Sequence, residues 1–146
     1  MFRILPLAAL AICALPRFAE AAAQVRLGLG ADYHVYPRRG LLNLTLAVDG
    51  PIARHLRVGG RFGALATSSP TEFGAPLDFD LRAHLAGGRV YLEGLVGPWL
   101  MFGGGDFLRL HAALGFGLQT SGLTFGLEVG YLDPGPIAGL RLGFRI

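Results

Sequence analysis

Residues 123–132 read Leu-Thr-Phe-Gly-Leu-Glu-Val-Gly-Tyr-Leu and residues 139–146 read Gly-Leu-Arg-Leu-Gly-Phe-Arg-Ile, on either side of an Asp133-Pro134-Gly135-Pro136 turn signal. Leu123, Phe125, Leu127, Val129 and Tyr131 alternate with Thr124, Gly126, Glu128 and Gly130. Leu140, Leu142, Phe144 and Ile146 alternate in the same way with Gly139, Arg141, Gly143 and Arg145. Period two is the side-chain repeat of a strand with two unlike faces. A hairpin closed about this turn sets Glu128 opposite Arg141, a favourable cross-strand pair.

The same pattern recurs upstream. Val25 to Tyr36 alternates, with Arg26, Gly28, Gly30, Asp32, His34 and Tyr36 on the polar side, and Pro37-Arg38-Arg39-Gly40 turns it. Leu42, Leu44, Leu46 and Val48 oppose Asn43, Thr45 and Asp49, and Asp49-Gly50-Pro51 reads as a tight turn. A third strand sets Leu56, Val58, Phe62, Ala64 and Ala66 against His55, Arg57, Gly59, Arg61 and Gly63, before a long connection at residues 68–76. A fourth sets Leu77, Phe79, Leu81 and Leu85 against Asp78, Asp80, Arg82 and His84. The fifth begins with Val90 and Leu92 against Tyr91 and Glu93, but its phase blurs from Gly94 to Phe102, where Pro98 suggests a strand end or bulge. After Gly103-Gly104-Gly105-Asp106 the sixth runs cleanly, with Leu108, Leu110, Ala112, Leu114, Phe116 and Leu118 against Arg109, His111, Ala113, Gly115, Gly117 and Gln119. Eight strands with short connections predict an antiparallel meander.

The chain opens on Met1-Phe2-Arg3, an apolar run at residues 4–15 and Ala19-Glu20-Ala21-Ala22-Ala23. That is the plan of a secretory signal peptide over residues 1–23, leaving residues 24–146 as one domain. Cys13, the only cysteine, lies inside the leader and follows Ile12, which is too large for a lipoprotein signal, so the mature chain carries no thiol. All 13 basic residues are Arg; with Arg3, Arg17 and Glu20 in the leader, 11 Arg face 9 acids of the 10 in the whole chain. This near balance, with no basic cluster interleaved with aromatics, excludes nucleic-acid binding as a function.

A two-faced meander closes either as a soluble lipocalin-like barrel with its apolar face inside, or as a membrane barrel with that face in lipid. Glycine separates them. Gly28, Gly30, Gly59, Gly63, Gly97, Gly115, Gly117, Gly126, Gly130, Gly139 and Gly143 share the polar face, and only Gly60 and Gly94 the apolar one. Glycine weakens strands; an interior crowded by Arg side chains needs small neighbours, whereas a wet surface does not. In the sixth strand the apolar face covers about 34 Å, or about 24 Å of bilayer at a tilt of about 45°.

The leader, the eight strands and the last strand resemble the small outer-membrane barrels of Gram-negative bacteria, the class of the OmpA and OmpX barrels. The resemblance implies an all-β, closed, eight-stranded, up-and-down antiparallel transmembrane barrel in the outer membrane. It also implies a monomer surrounded by outer-membrane lipid, with no cofactor. It further implies assembly by the barrel-assembly machinery, which reads a final strand; here that signal falls on Leu140, Leu142, Phe144 and Ile146. The match departs at Ile146, where an aromatic residue is usual.

The polar face then becomes an interior ion-pair network of Arg26, Asp32, Arg57, Arg61, Asp78, Asp80, Arg82, Glu93, Arg109, Glu128, Arg141 and Arg145. Expected pairs are Arg82 with Glu93, Arg61 with Asp80, and Glu128 with Arg141. The alternative use is a narrow path for small solutes, but an eight-stranded interior is only just wide enough for side chains. The histidines His34, His55, His84 and His111 lack metal-ligand spacing, so no metal site is expected. A lipid A-modifying enzyme needs an activated Ser beside a His. Ser68 or Ser69 with His34 is the one arrangement available, and no catalytic residue is assigned. Tyr33, Trp99, Phe102 and Tyr131 are read as an interfacial aromatic girdle.

Overall fold

A computed structural model describes residues 22–146; the signal-peptide reading of residues 1–23 lies almost wholly outside the described residues. Eight strands follow in order: β1 (Gln24–His34), β2 (Arg39–Ala53), β3 (Leu56–Thr67), β4 (Phe73–Leu85), β5 (Val90–Phe102), β6 (Leu108–Gln119), β7 (Leu123–Leu132) and β8 (Gly135–Arg145). Each pairs antiparallel with the next, and β8 returns to β1 from Arg26↔Arg145 to His34↔Ile137, closing the barrel. Closure leaves no strand edge with unpaired backbone groups, a condition that lipid imposes.

The alternation resolves into outside and inside. On β6, Leu110 and Leu118 are 60% and 63% exposed while His111 between them is fully buried. Leu29, Leu44, Phe79, Leu92, Phe125 and Leu140 point outward in the same way. The apolar face is the outer face, so the lipocalin-like alternative, with that face around a cavity, is set aside.

Four local expectations change. Asp49-Gly50-Pro51 is not a turn. The strand β2 continues through a register shift between Pro51 and Ala53, and the chain reverses at residues 54–55, which puts His55 in an exposed turn. Asp49 therefore faces the interior, only 3% exposed. The long connection shrinks to residues 68–72, because Phe73, Gly74, Ala75 and Pro76 pair with β5. β5 itself is unbroken through Pro98, which sits opposite Leu110 with its ring toward the outside. Having no N–H, proline is tolerated where a rung is missing; here the β4–β5 ladder passes from Pro76↔Trp99 to Phe79↔Val96 without rungs between. Finally, β1 ends at His34, and Tyr36 lies exposed in the following turn.

The barrel has a loop rim, with residues 35–38, 68–72, 103–107 and 133–134, and a terminal rim, with the start of β1, the end of β8 and residues 54–55, 86–89 and 120–122. The glycines of the inner face do two jobs. At Gly63, Gly97 and Gly130 a Cβ would run into the carbonyl oxygen of Leu44, Leu77 and Ala112 on the next strand, so these positions let a narrow barrel bend sharply. At Gly30, Gly126 and Gly139 the space is taken by the Arg141 guanidinium, the Tyr91 hydroxyl and the Asp32 carboxylate. Gly60 and Gly94 face outward with no close side chain.

Candidate functional site

Among the described residues the interior gathers most of the ionisable side chains of the strands, and it is arranged in four levels. Nearest the terminal rim, Arg26 of β1 donates to Asp49 of β2 (2.7 Å) and Asp80 of β4 (3.0 Å), and lies 3.5 Å from Glu93 of β5. Arg57 of β3 holds the other oxygen of Asp49. Arg82 approaches Glu93 at 3.7 Å and lays its guanidinium over the Tyr91 ring, 3.8 Å from the centroid, a cation–π contact strengthened by desolvation.

At mid-depth Glu128 of β7 is clamped by two arginines. Arg61 donates to it at 2.7 and 3.3 Å and Arg141 at 3.0 and 2.8 Å. Arg61 also holds Asp78 at 2.8 Å, and Arg141 holds Asp32 at 2.6 Å, whose second oxygen accepts from Asn43 at 2.6 Å. Asp78 accepts further hydrogen bonds from the Trp99 indole (3.1 Å) and from His111 Nδ1 (2.8 Å). A carboxylate oxygen can only accept, so the His111 proton on that side is assigned to Nδ1.

Above this level the interior changes character. Leu41, Leu65, Trp99, Met101, Leu132 and Ile137 pack into an apolar septum. Over it, at the loop rim, Arg39 donates to Glu72 at 2.7 Å, His34 Nε2 donates to the Leu132 carbonyl at 2.7 Å, and Arg109 reaches the Asp133 carbonyl at 3.4 Å.

Ten of the twelve residues expected in the network meet here: Arg26, Asp32, Arg57, Arg61, Asp78, Asp80, Arg82, Glu93, Glu128 and Arg141. Arg109 touches only a carbonyl above the septum, and Arg145 is exposed at the terminal rim without an ion-pair partner among the described residues. The pairings also shift. Arg61 lies opposite Asp78 rather than Asp80, and Asp80 goes to Arg26. Glu128 lies opposite Gly139 and Arg141 opposite Gly126, so their contact is diagonal. Asp49, Arg39 and Glu72 belong to the interior and were missed. Asp49 was in phase with Asn43 and Thr45 all along, but the Gly-Pro after it looked like a turn.

Trp99 is not part of a girdle: it is 1% exposed, its ring tilted against that of His111 with centroids 4.4 Å apart, whereas Tyr33, Phe102 and Tyr131 do face outward. The blurred phase of β5 has the same cause. Its inward residues Leu95, Trp99 and Met101 are as apolar as its outward ones.

The suggested Ser–His arrangement does not form. Ser68 Oγ accepts from the Gly40 amide at 3.0 Å, and His34 is buried on the Leu132 carbonyl. Among the described residues no group of three or more His, Cys, Asp or Glu side chains could hold a metal ion. The cavity within the interior measures about 40 Å³, lined by Arg26, Thr45, Arg61, Arg82, Tyr91 and Arg141, room for about one water. Larger hollows, of about 610 and 580 Å³, lie on the outer apolar surface between side chains such as Leu42, Phe73 and Leu140, or Phe79, Leu114 and Tyr131.

Leu140, Leu142, Phe144 and Ile146 form the outward row of the final strand and its end, with Leu140, Leu142 and Phe144 paired to β1 and β7.

No family model matches the chain, and a search of curated proteins finds no match. Among solved structures it is similar to a de novo designed transmembrane β-barrel, with a TM-score of 0.64 and 7% identity over 84% of this chain and 95% of that one. The designed barrel TMB2.3, solved by solution NMR, gives 0.54 and 12% over 87% and 97%. The crystal structure of Neisserial surface protein A (NspA) gives 0.58 and 12% over 85% and 94%. At these identities the likeness is one of fold: a closed, eight-stranded, up-and-down transmembrane β-barrel.

Proposed function

We propose that the protein is an integral outer-membrane barrel with a structural or surface role, non-enzymatic and monomeric, its interior plugged by side chains. The observation that carries this reading is the sealed interior. Side chains from all eight strands form an ion-pair core around a cavity of only about 40 Å³, and the apolar septum of Leu41, Leu65, Trp99, Met101, Leu132 and Ile137 covers it. A solute passing through would have to part buried charge pairs and then cross a dry layer. Partly filled by water, the same lumen would be a pore; filled by Arg–carboxylate pairs, it is a brace.

The signal-peptide pattern read in the sequence of residues 1–23 supports export, and the outward apolar band supports a lipid environment. Closure into a ring supports a monomer, since no strand edge is left to pair with a second copy. The row Leu140, Leu142, Phe144 and Ile146 is the segment we assign to recognition by the barrel-assembly machinery. With Ser68 occupied by the Gly40 backbone, nothing favours acyl chemistry at the loop rim.

The test combines two readouts on the mature chain refolded in detergent. We expect a compact species on gels that shifts on boiling, and no stepwise conductance when it is placed in planar bilayers. A protein that stays soluble without detergent overturns the membrane reading; steady unitary currents overturn the plug.

A further inference from the structure

The terminal rim carries a cleft that the plugged interior does not use. The Arg89 carbonyl accepts from the Gln119 amide (2.8 Å) and the Arg145 amide donates to the Gly122 carbonyl (2.9 Å). These two bonds hold the 120–122 turn between the 86–89 turn and the end of β8. The resulting hollow is lined by Gly87, Gly88, Arg89, Leu118, Gln119, Thr120, Ser121 and Arg145, and is open to solvent. Two guanidinium groups therefore share one cleft with two hydroxyl-bearing residues.

Three features say what the cleft would take. First, Arg89 and Arg145 have no carboxylate partner among the described residues, unlike Arg26, Arg57, Arg61 and Arg141 inside the barrel. The described acids are either buried in the interior or, as with Asp106 and Asp133, placed at the opposite rim. Among the described residues neither Arg89 nor Arg145 makes an ion pair, whether with an acidic side chain or with the Ile146 carboxylate. Second, Gln119 lines the cleft beside the two hydroxyl-bearing residues, with a side-chain amide that makes no hydrogen bond among the described residues. A Cβ at Gly87 or Gly88 would meet nothing within 4 Å, which leaves this side of the cleft open to close approach. Third, Leu118 lines the cleft yet is 63% exposed on the outer face, beside Val90 and Phe125 of the neighbouring strands. The site is thus cationic on one side and continuous with the apolar band on the other.

We propose that this cleft binds the phosphate headgroup of an anionic glycerophospholipid in the leaflet at the terminal rim, its acyl chain lying along Leu118 and Phe125. Arg supplies planar, multi-donor recognition of phosphate oxygens, and Thr120 and Ser121 add hydroxyls. This inference rests on the proposed membrane placement. A free phosphate would satisfy the polar half alone; the Leu118 wall selects the lipid.

The experiment uses the mature chain refolded in detergent micelles, with native mass spectrometry reading lipid adducts after addition of phosphatidylglycerol or phosphatidylcholine. One phosphatidylglycerol should be retained in preference to phosphatidylcholine, and R89Q/R145Q should weaken its retention by about thirty-fold, at the usual contribution of one basic side chain near an anionic surface. R54Q, which removes a cation from the 54–55 turn of the same rim, should leave retention unchanged. Heat-modifiability of each variant shows independently that the barrel is formed. A chain that never enters micelles overturns the membrane placement and this site with it. A folded barrel that retains both lipids equally, or whose double variant retains phosphatidylglycerol like the parent, overturns the site alone. Displacement of the lipid by millimolar inorganic phosphate would overturn the lipid in favour of the free ion.

Discussion

Replacing Glu128 by Ala should destabilise the barrel by about 3 kcal/mol, the lower end of the range for removing one member of a buried ion pair. Glu128 accepts four hydrogen bonds, from Arg61 at 2.7 and 3.3 Å and from Arg141 at 3.0 and 2.8 Å, and it is 2% exposed. Its loss leaves two largely buried guanidinium groups short of a counter-charge, beside a cavity with room for little more than one water. Each retains one carboxylate, Asp78 for Arg61 and Asp32 for Arg141, which is why the cost is not larger. The assay is urea unfolding in lipid vesicles, followed by the fluorescence of Trp99, the chain's one tryptophan, whose indole donates to Asp78 beside the clamp. Replacing one pair of the clamp, R61M with E128L, should recover part of the loss, since apolar pairs of similar volume often match a buried ion pair, while Arg141 keeps Asp32 and Asp78 keeps His111 and Trp99. A loss below about 1 kcal/mol for E128A would place the clamp in the range of solvent-screened surface pairs and refute the reasoning. Simple additivity of R61M and E128L would refute it too, because residues in contact should couple.

Other consequences are as direct. Gly126→Val, which drives a side chain into the Tyr91 hydroxyl, should lower stability by about 1 to 3 kcal/mol, while Gly94→Val on the outer face should change it little; urea midpoints compare the two. Leu114→Arg, near the middle of β6, should cost about 2 to 4 kcal/mol and Leu118→Arg, near its end, about 0 to 1; equal costs would contradict a bilayer around this strand. Trp99 should resist quenching both by aqueous acrylamide and by brominated lipid, because it faces neither solvent. Strong quenching by the lipid would return it to the girdle from which the structure removes it.

Period two was enough to find the strands and to decide between faces, because the polar face carried the glycines that a filled lumen requires. It was not enough for register. Pairing depends on where each turn falls, and Asp49-Gly50-Pro51 offers turn chemistry inside a strand that runs on to Ala53; shifting the reversal to residues 54–55 moves every partner of β3. The β3–β4 register depends in turn on the connection at residues 68–72, shorter than the 68–76 expected, and there Arg61 meets Asp78, two residues from the partner expected. The diagonal contact of Arg141 with Glu128 shows a second limit: long side chains reach past the residue opposite, so strand pairing alone does not name ion-pair partners. Arg39 and Glu72 were hidden because each begins a segment flanked by turn residues. Trp99 was misplaced for the opposite reason. Where an interior is itself apolar, the two faces of a strand look alike, and alternation carries no information about which is inside.

The septum has a further consequence. Leu41, Leu65, Trp99, Met101, Leu132 and Ile137 stand between the charged core and everything that happens at the loop rim, and only Trp99 reaches below them, through its bond to Asp78. Residues 68–71 and 103–106 therefore sit on an insulating cap, with Glu72 kept in place beneath by Arg39. They can be lengthened, charged or exchanged for foreign sequence without the brace beneath registering the change. The barrel is in this sense a mounting plate whose fixings are sealed away from whatever is mounted on it.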